Sequence, residues 1–274
     1  MSSLRALAGR AKRGGYRLLT IAERFAPGDR DPLLPPAHLR AYYYRTPDPE
    51  AFARACRNIR VEVDSHGLRA GDRILDVGCG IGNLAIALTG HHAGTYDGVD
   101  VHREAVTWCR RAITPRHPAF RFHHADLASS AYNRGGREDP TTYRFPFPDR
   151  SFDFIFLASV FTHMMPAGVE HYLREIARLL DPGGIAVASY FLLTGDARRG
   201  IAEGRSFLSF GIDHPSGVCL LHDRRRPEAA VAIDEAFVRR AYGAAGLEIR
   251  NIRRGDWWNG RADDQDVISA GLTS

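Results

Sequence analysis

The strictest constraint on this chain is one run, Arg73-Ile74-Leu75-Asp76-Val77-Gly78-Cys79-Gly80-Ile81-Gly82-Asn83-Leu84-Ala85. It begins as a short apolar stretch, the pattern of a buried strand. It then breaks into glycines at alternate positions, Gly78, Gly80 and Gly82, and resumes over residues 83–88 as a helix start. Glycine tolerates positive φ and lets a ligand approach the main chain. The free N–H groups of a first helical turn face whatever polar group sits there. A strand, a glycine turn and a helix N-terminus together predict a cofactor cradle. A second strand over residues 95–100 ends in an acid, Asp100, which lies 18 positions beyond Gly82. A βαβ unit places at about that distance the carboxylate that accepts from a ribose diol.

The glycines alone leave the cofactor open. A dinucleotide fingerprint wants G-x-G-x-x-G, whereas here Asn83 holds the final slot and the third glycine comes one position early. Taken with Gly98-Val99-Asp100, the run Leu75–Gly82 resembles the class I S-adenosylmethionine-dependent methyltransferases. Ala125-Asp126-Leu127, Ser151–Phe156 and Leu179-Leu180-Asp181-Pro182-Gly183-Gly184 extend the likeness over roughly residues 68–193. The segment Ser159-Val160-Phe161-Thr162-His163-Met164 looks like a bacterial subgroup that acts on sugars and other small molecules. The resemblance implies S-adenosylmethionine as cofactor. It implies that Asp76 helps hold the methionine end and that Gly78, Cys79, Gly80 and Ser159 bind the cofactor. It further implies that Asp100 holds the ribose, and that Val101, Asp126 and Leu127 meet the adenine.

Composition narrows the class. The 274 residues, 44% hydrophobic and 25% charged, suit one generous α/β domain. Residues 1–25 carry Arg5, Arg10, Lys12, Arg13, Arg17 and Arg24 against Glu23, so the whole net charge of +5 sits there. A neutral body argues against a nucleic-acid partner, which calls for a basic face. Cys56, Cys79, Cys109 and Cys219 form no C-x-x-C pair. A reducing cytoplasm is therefore the expected location, and no disulfide framework or zinc site is expected. No acidic cluster has the spacing of a divalent-metal site, so no metal is expected.

Along the chain, residues 1–36 read as a basic arm and a proline-stiffened linker, and 37–274 as the catalytic domain. The arm is either a solvated segment packing on the domain or a peripheral contact with an anionic membrane. Helices are expected over 37–44 and 49–67 as a cover before the first strand. Strands at 73–77, 95–100, 119–124, 152–158 and 185–192 alternate with helices at 82–89, 103–112 and 166–180. That alternation predicts a doubly wound, Rossmann-like sheet. Helix 234–245 and strands 247–253 and 266–272 complete seven strands, the last antiparallel as the resemblance implies. The long loop 129–149 is expected to border a ligand, and about 195–231 reads as a cap inserted after strand 5.

A hydroxyl acceptor needs a base, and histidine is the usual one. His163, just after strand 4, is the leading candidate, with His214 and His222 of the cap as rivals. Tyr43, Trp257, Trp258 and Arg261 are the candidate acceptor-binding residues. The expected activity is metal-independent O-methylation of a sugar, glycolipid or natural product. N- or C-methylation, a cofactor-binding scaffold without turnover and a nicotinamide dehydrogenase stand as competing readings. The oligomeric state is open.

Overall fold

A computed structural model describes residues 15–21, 23, 31–261 and 264–273. Most of the basic arm and the first part of the linker lie outside the described residues. Residues 15–21 are helical (α1). Helices α2 (Ala37–Tyr44) and α3 (Pro49–Ser65) follow. The start of α3 is set locally: Pro49 occupies the first turn and the Asp48 carboxylate accepts from the N–H groups of Glu50 and Ala51.

The core is a seven-stranded sheet. Its strands are β1 (Ile74–Val77), β2 (Tyr96–Asp100), β3 (Phe120–His124), β4 (Phe152–Leu157), β5 (Leu180–Tyr190), β10 (Leu247–Arg253) and β11 (Asp266–Leu272). They lie in the order β10-β11-β5-β4-β1-β2-β3. All pairings are parallel except those that β11 makes with β5 and β10. This is the doubly wound fold with an antiparallel last strand that the alternation and the resemblance predict.

Every residue of β1 is buried, as a strand covered on both faces requires. Alternation then splits its side chains between two layers. Leu75 and Val77 belong to the apolar layer that also holds Val169, Leu173 and Ile176 of α6 (Pro166–Leu179) and, further along the sheet, Val238 and Tyr242 of α8 (Glu235–Ala244). Ile74 faces Val63 of α3, Leu84 and Leu88 of α4 (Asn83–Leu88), and Val106 and Cys109 of α5 (Arg103–Ala112). Gly82 sits at the α4 N-cap with φ +78°, and a Cβ there would come within 2.7 Å of Ile113. It therefore serves close helix packing more than ligand approach.

The chain runs β1–β2–β3 outward in one direction and then crosses back to β4 and β5. The reversal between β1 and β4 opens a crevice at the strands' carboxyl ends, where open α/β sheets bind ligands.

After β5 the chain leaves the main sheet. Strands β6 (Leu192–Leu193), β7 (Ile212–Asp213), β8 (Cys219–Leu221) and β9 (Val231–Asp234) form a second sheet, ordered β6-β9-β8-β7, with α7 (Gly195–Ala202) beside them. The expected cap is thus a small sheet with an apolar centre of Phe191, Leu193, Phe210 and Trp257. Asp266, 3% exposed, ties it to the main sheet. Its carboxylate accepts from Leu192 N–H (3.0 Å), Gly255 N–H (3.1 Å) and Trp257 Nε1–H (2.8 Å). Asp266→Ala strands three buried donors, each worth roughly 1–3 kcal/mol. Chemical denaturation should show a loss of at least about 3 kcal/mol, with the Trp257 fluorescence altered in the folded state.

Candidate active site

A cavity of about 750 Å³ fills the crevice and continues to both sides of it, within the range of small-molecule sites. The cradle forms one part. Gly78 and Gly80 line it, and Gly80 has φ +54°, with a Cβ at that position only 3.0 Å from the Tyr43 ring. A side chain at Gly80 would fill the space between the loop and α2, and a Cβ at Gly78 would come within 2.6 Å of Val160, after β4. Tyr44 hydrogen-bonds Asn83 at the start of α4, so α2 closes the cradle from above. The N-terminal cover thus takes the expected place, and Tyr43 lies against the cradle.

Asp100 ends β2 at the cavity wall, 8% exposed. Its Oδ2 accepts from Gly80 N–H at 2.8 Å and its Oδ1 from His102 N–H at 2.7 Å. Burial raises its pKa, and the two N–H groups oppose that rise. Each carboxylate oxygen keeps a further lone pair, which suits a vicinal diol. Cys79, Val101 and Leu127 also line the cavity, as does Ser159 after β4. The group implied by the resemblance therefore fits: glycines where a Cβ would intrude, a strand-end carboxylate with spare acceptors, and apolar walls beside it.

Asp126 departs from expectation. Its carboxylate accepts from Arg137 Nε–H at 2.8 Å and Asn133 Nδ2–H at 3.1 Å, and its carbonyl accepts from the N–H groups of Arg137 and Glu138. It fastens the loop after β3 and does not line the cavity. That loop brings Ser129, Tyr132, Pro140, Thr141 and Phe145 to the cavity wall, as its length predicts.

Asp76 lines the cavity floor, 3% exposed, and accepts from the Tyr96 hydroxyl at 2.5 Å. Burial pushes its pKa up to about 7, further than the Tyr96 bond brings it down. The folded protein therefore holds a proton that the unfolded chain releases near the ordinary aspartate range. Stability from this group is full at acid pH and is lost as pH rises from about 4 towards 7, by roughly 1.4 kcal/mol per unit. Thermal melts of Asp76→Asn, which keeps an acceptor for Tyr96, should lack this slope.

His163 lies in a 3₁₀ turn after β4 and borders the cavity. Its Nδ1 is 3.0 Å from the Glu228 carbonyl, and its Nε2 is 3.0 Å from the Tyr132 hydroxyl. A carbonyl only accepts, so Nδ1 carries the hydrogen and Nε2 presents its lone pair to Tyr132. Burial holds the ring below the ordinary histidine range and keeps it neutral at pH 7. Glu228, from the cap, also accepts from Ser130 N–H through its carboxylate. Cap and loop thus meet at the histidine.

The rivals lie elsewhere. His214 bonds Ser216 on an exposed turn, and His222 bonds the Ser209 carbonyl, both within the cap and off the cavity. The aromatic wall also fails. Trp257 is fully buried in the cap centre, and Trp258 packs on Gly200 with Arg205 over its ring. Arg261 reaches towards Asp256 at the surface and does not line the cavity.

Beyond the switch point the cavity runs over β4, β5 and β11, with Phe156, Val187 and Val267 as its floor. Ser159, Ser189 and Gln265 form a bonded group there, Gln265 Oε1 lying 2.6 Å from Ser189 Oγ and 3.2 Å from Ser159 Oγ. Arg253, paired with Glu62 of α3, closes that end. Sequence reading missed Tyr132, Glu228, Gln265 and Arg253, because no local motif marks them.

Residues 74–184 match the family model described as "Methyltransferase domain". The 27-O-demethylrifamycin SV methyltransferase of Amycolatopsis mediterranei is 33% identical over 46% of this chain and 41% of its own length. The O-methyltransferase rstn1 of Aspergillus nomiae is 32% identical over 46% of this chain and 49% of its own. The chain thus spans about half or less of those relatives. Among solved structures, an S-adenosylmethionine-dependent methyltransferase from Methanosarcina mazei matches with a TM-score of 0.54 at 21% identity, covering 77% of this chain and 98% of that one. The 1,6-didemethyltoxoflavin-N1-methyltransferase of Burkholderia thailandensis, solved with S-adenosylhomocysteine, matches at 0.52 and 18%, over 91% and 95%. The strand order, the glycine cradle and the matched segment agree: residues 74–184 match a methyltransferase domain, set in the fold of the class I S-adenosylmethionine-dependent methyltransferases.

Proposed function

We propose that this chain transfers a methyl group from S-adenosylmethionine to a hydroxyl of a small molecule, without a metal. The observation that carries the reading is one cavity joining two unlike compartments. The first has the glycines and Asp100; the second has an apolar floor and hydrogen-bonding walls, and a neutral histidine borders the space. When bound, the cofactor supplies a methyl group on a sulfonium, a leaving group already activated.

The protein's own tasks are alignment and proton removal. Holding two reactants at attack distance can supply about 7–11 kcal/mol. The acceptor's proton passes to the Tyr132 hydroxyl as that hydroxyl gives its own to His163 Nε2, and the Glu228 carbonyl holds the resulting imidazolium at Nδ1. Ser159, Ser189, Gln265 and Arg253 orient the acceptor. Their mixed donors and acceptors suit a sugar, glycolipid or oxygenated natural product, and a bacterial small-molecule subgroup is the reading favoured. The rifamycin and rstn1 relatives are named for O-methylation, which supports oxygen over nitrogen or carbon.

Incubating the protein with methyl-labelled S-adenosylmethionine and fractionated cell extract tests the reading. Label should enter the small-molecule fraction rather than nucleic acid or protein. Cofactor binding without any transfer would favour a scaffold.

A further inference from the structure

Helix α1 is amphipathic in the inverted sense. Tyr16, Thr20 and Glu23 fall at i, i+4 and i+7, on one face. That polar face is turned towards the domain. Thr20 Oγ1 lies 3.0 Å from His38 Nδ1 and accepts from His38 N–H at 3.1 Å. The Glu23 carboxylate accepts from Arg40 at 2.6 Å and from Ala37 N–H at 3.3 Å. Arg40 is itself fully buried, so the acid's charge is neutralised on the inner side.

The apolar side chains point the other way. Leu18 is 68%, Ile21 54% and Leu19 40% exposed, three of the six most exposed large apolar residues among those described. Arg17 is exposed beside them. A helix folded against its domain ordinarily buries such a face.

We infer that the outer face of α1 docks on an anionic lipid surface. Charge complementarity selects the partner. Residues 1–25 hold six cations against one acid, and that acid is paired inward. Cations beside a short apolar patch are the composition of an interfacial helix. A second copy of the chain is the weaker match. Three side chains fall well short of the roughly 1,000 Å² of a stable interface, and Arg17 beside them would meet its own copy across a two-fold axis. No helix among the described residues is long and apolar enough to cross a membrane, so the contact is peripheral. Its anchor is α2, the helix that closes the cofactor cradle, but the docking does not depend on which acceptor is methylated.

The test is co-sedimentation of the full chain with vesicles of phosphatidylcholine, with and without about one-third phosphatidylglycerol. Binding should appear with the anionic vesicles alone and weaken as salt is added. Leu18→Ser/Ile21→Ser should lower the bound fraction about tenfold, and Arg17→Glu about threefold. Both variants should leave the thermal melt in place, since the altered side chains face outward. The inference fails if the intact chain ignores anionic vesicles or if the double variant binds as well as the parent. It also fails if sedimentation shows a dimer that the double variant dissociates, which would assign the face to a second copy.

Discussion

Asp100→Asn is expected to weaken S-adenosylhomocysteine binding about a hundredfold in a calorimetric titration, the loss of one or two charge-assisted hydrogen bonds. The carboxylate has two duties. It accepts from Gly80 and His102 main-chain N–H groups, and it has lone pairs left for a diol. Asparagine cannot satisfy both N–H groups, because either flip sets its NH₂ against a donor. A loss of roughly 1–3 kcal/mol in folding stability should therefore accompany the lost affinity. A variant that melts earlier yet binds the nucleoside undiminished would mean that Asp100 only shapes the loop.

His163→Gln should separate binding from chemistry. The residue borders the cavity without belonging to the glycine cradle, so cofactor affinity should stay within a few-fold. The transfer rate should fall about 10²- to 10⁴-fold, the usual span for loss of a general base. The pH profile gives the sign. Only the neutral ring can accept a proton, and burial holds its pKa below the ordinary value of about 6.5. The parent's rate should rise through that acid limb and then stay level across neutral pH. The variant should lose the limb. A variant whose rate is unchanged would return His163 to a packing role.

Much of this fold is legible in the chain because its signals are local. The apolar run into Gly78, Gly80 and Gly82 marks both the first strand and the turn that follows it. Asp100 is found by counting along a βαβ unit whose geometry fixes the distance. The second sheet is not legible, since β6 and β7 have two residues each and β8 three, too few for any alternation to register. The acceptor compartment is hidden for a different reason. Gln265 meets Ser159 across 106 positions and Arg253 meets Glu62 across 191, separations that only the closed sheet spans.

The tryptophans show why residue type misleads. Trp257-Trp258 sits on the connection between β10 and β11, near the ligand side, and indole rings there suggest a binding wall. Asp266, however, draws the Trp257 indole N–H inward, and the ring fills the cap centre. Asp126 misleads in the same way. An acid after β3 reads as an adenine partner until Arg137 and Asn133, a few positions on, occupy it.

The proposed function stands or falls with the glycine turn after β1 and the carboxylate closing β2 acting as one nucleoside site. Titrating the full chain with S-adenosylhomocysteine and, in parallel, with a nicotinamide dinucleotide tests it most directly. One S-adenosylhomocysteine should bind saturably per chain, strongly weakened in Asp100→Asn, and the dinucleotide should not bind. Binding of the dinucleotide alone, or of neither compound, would contradict it.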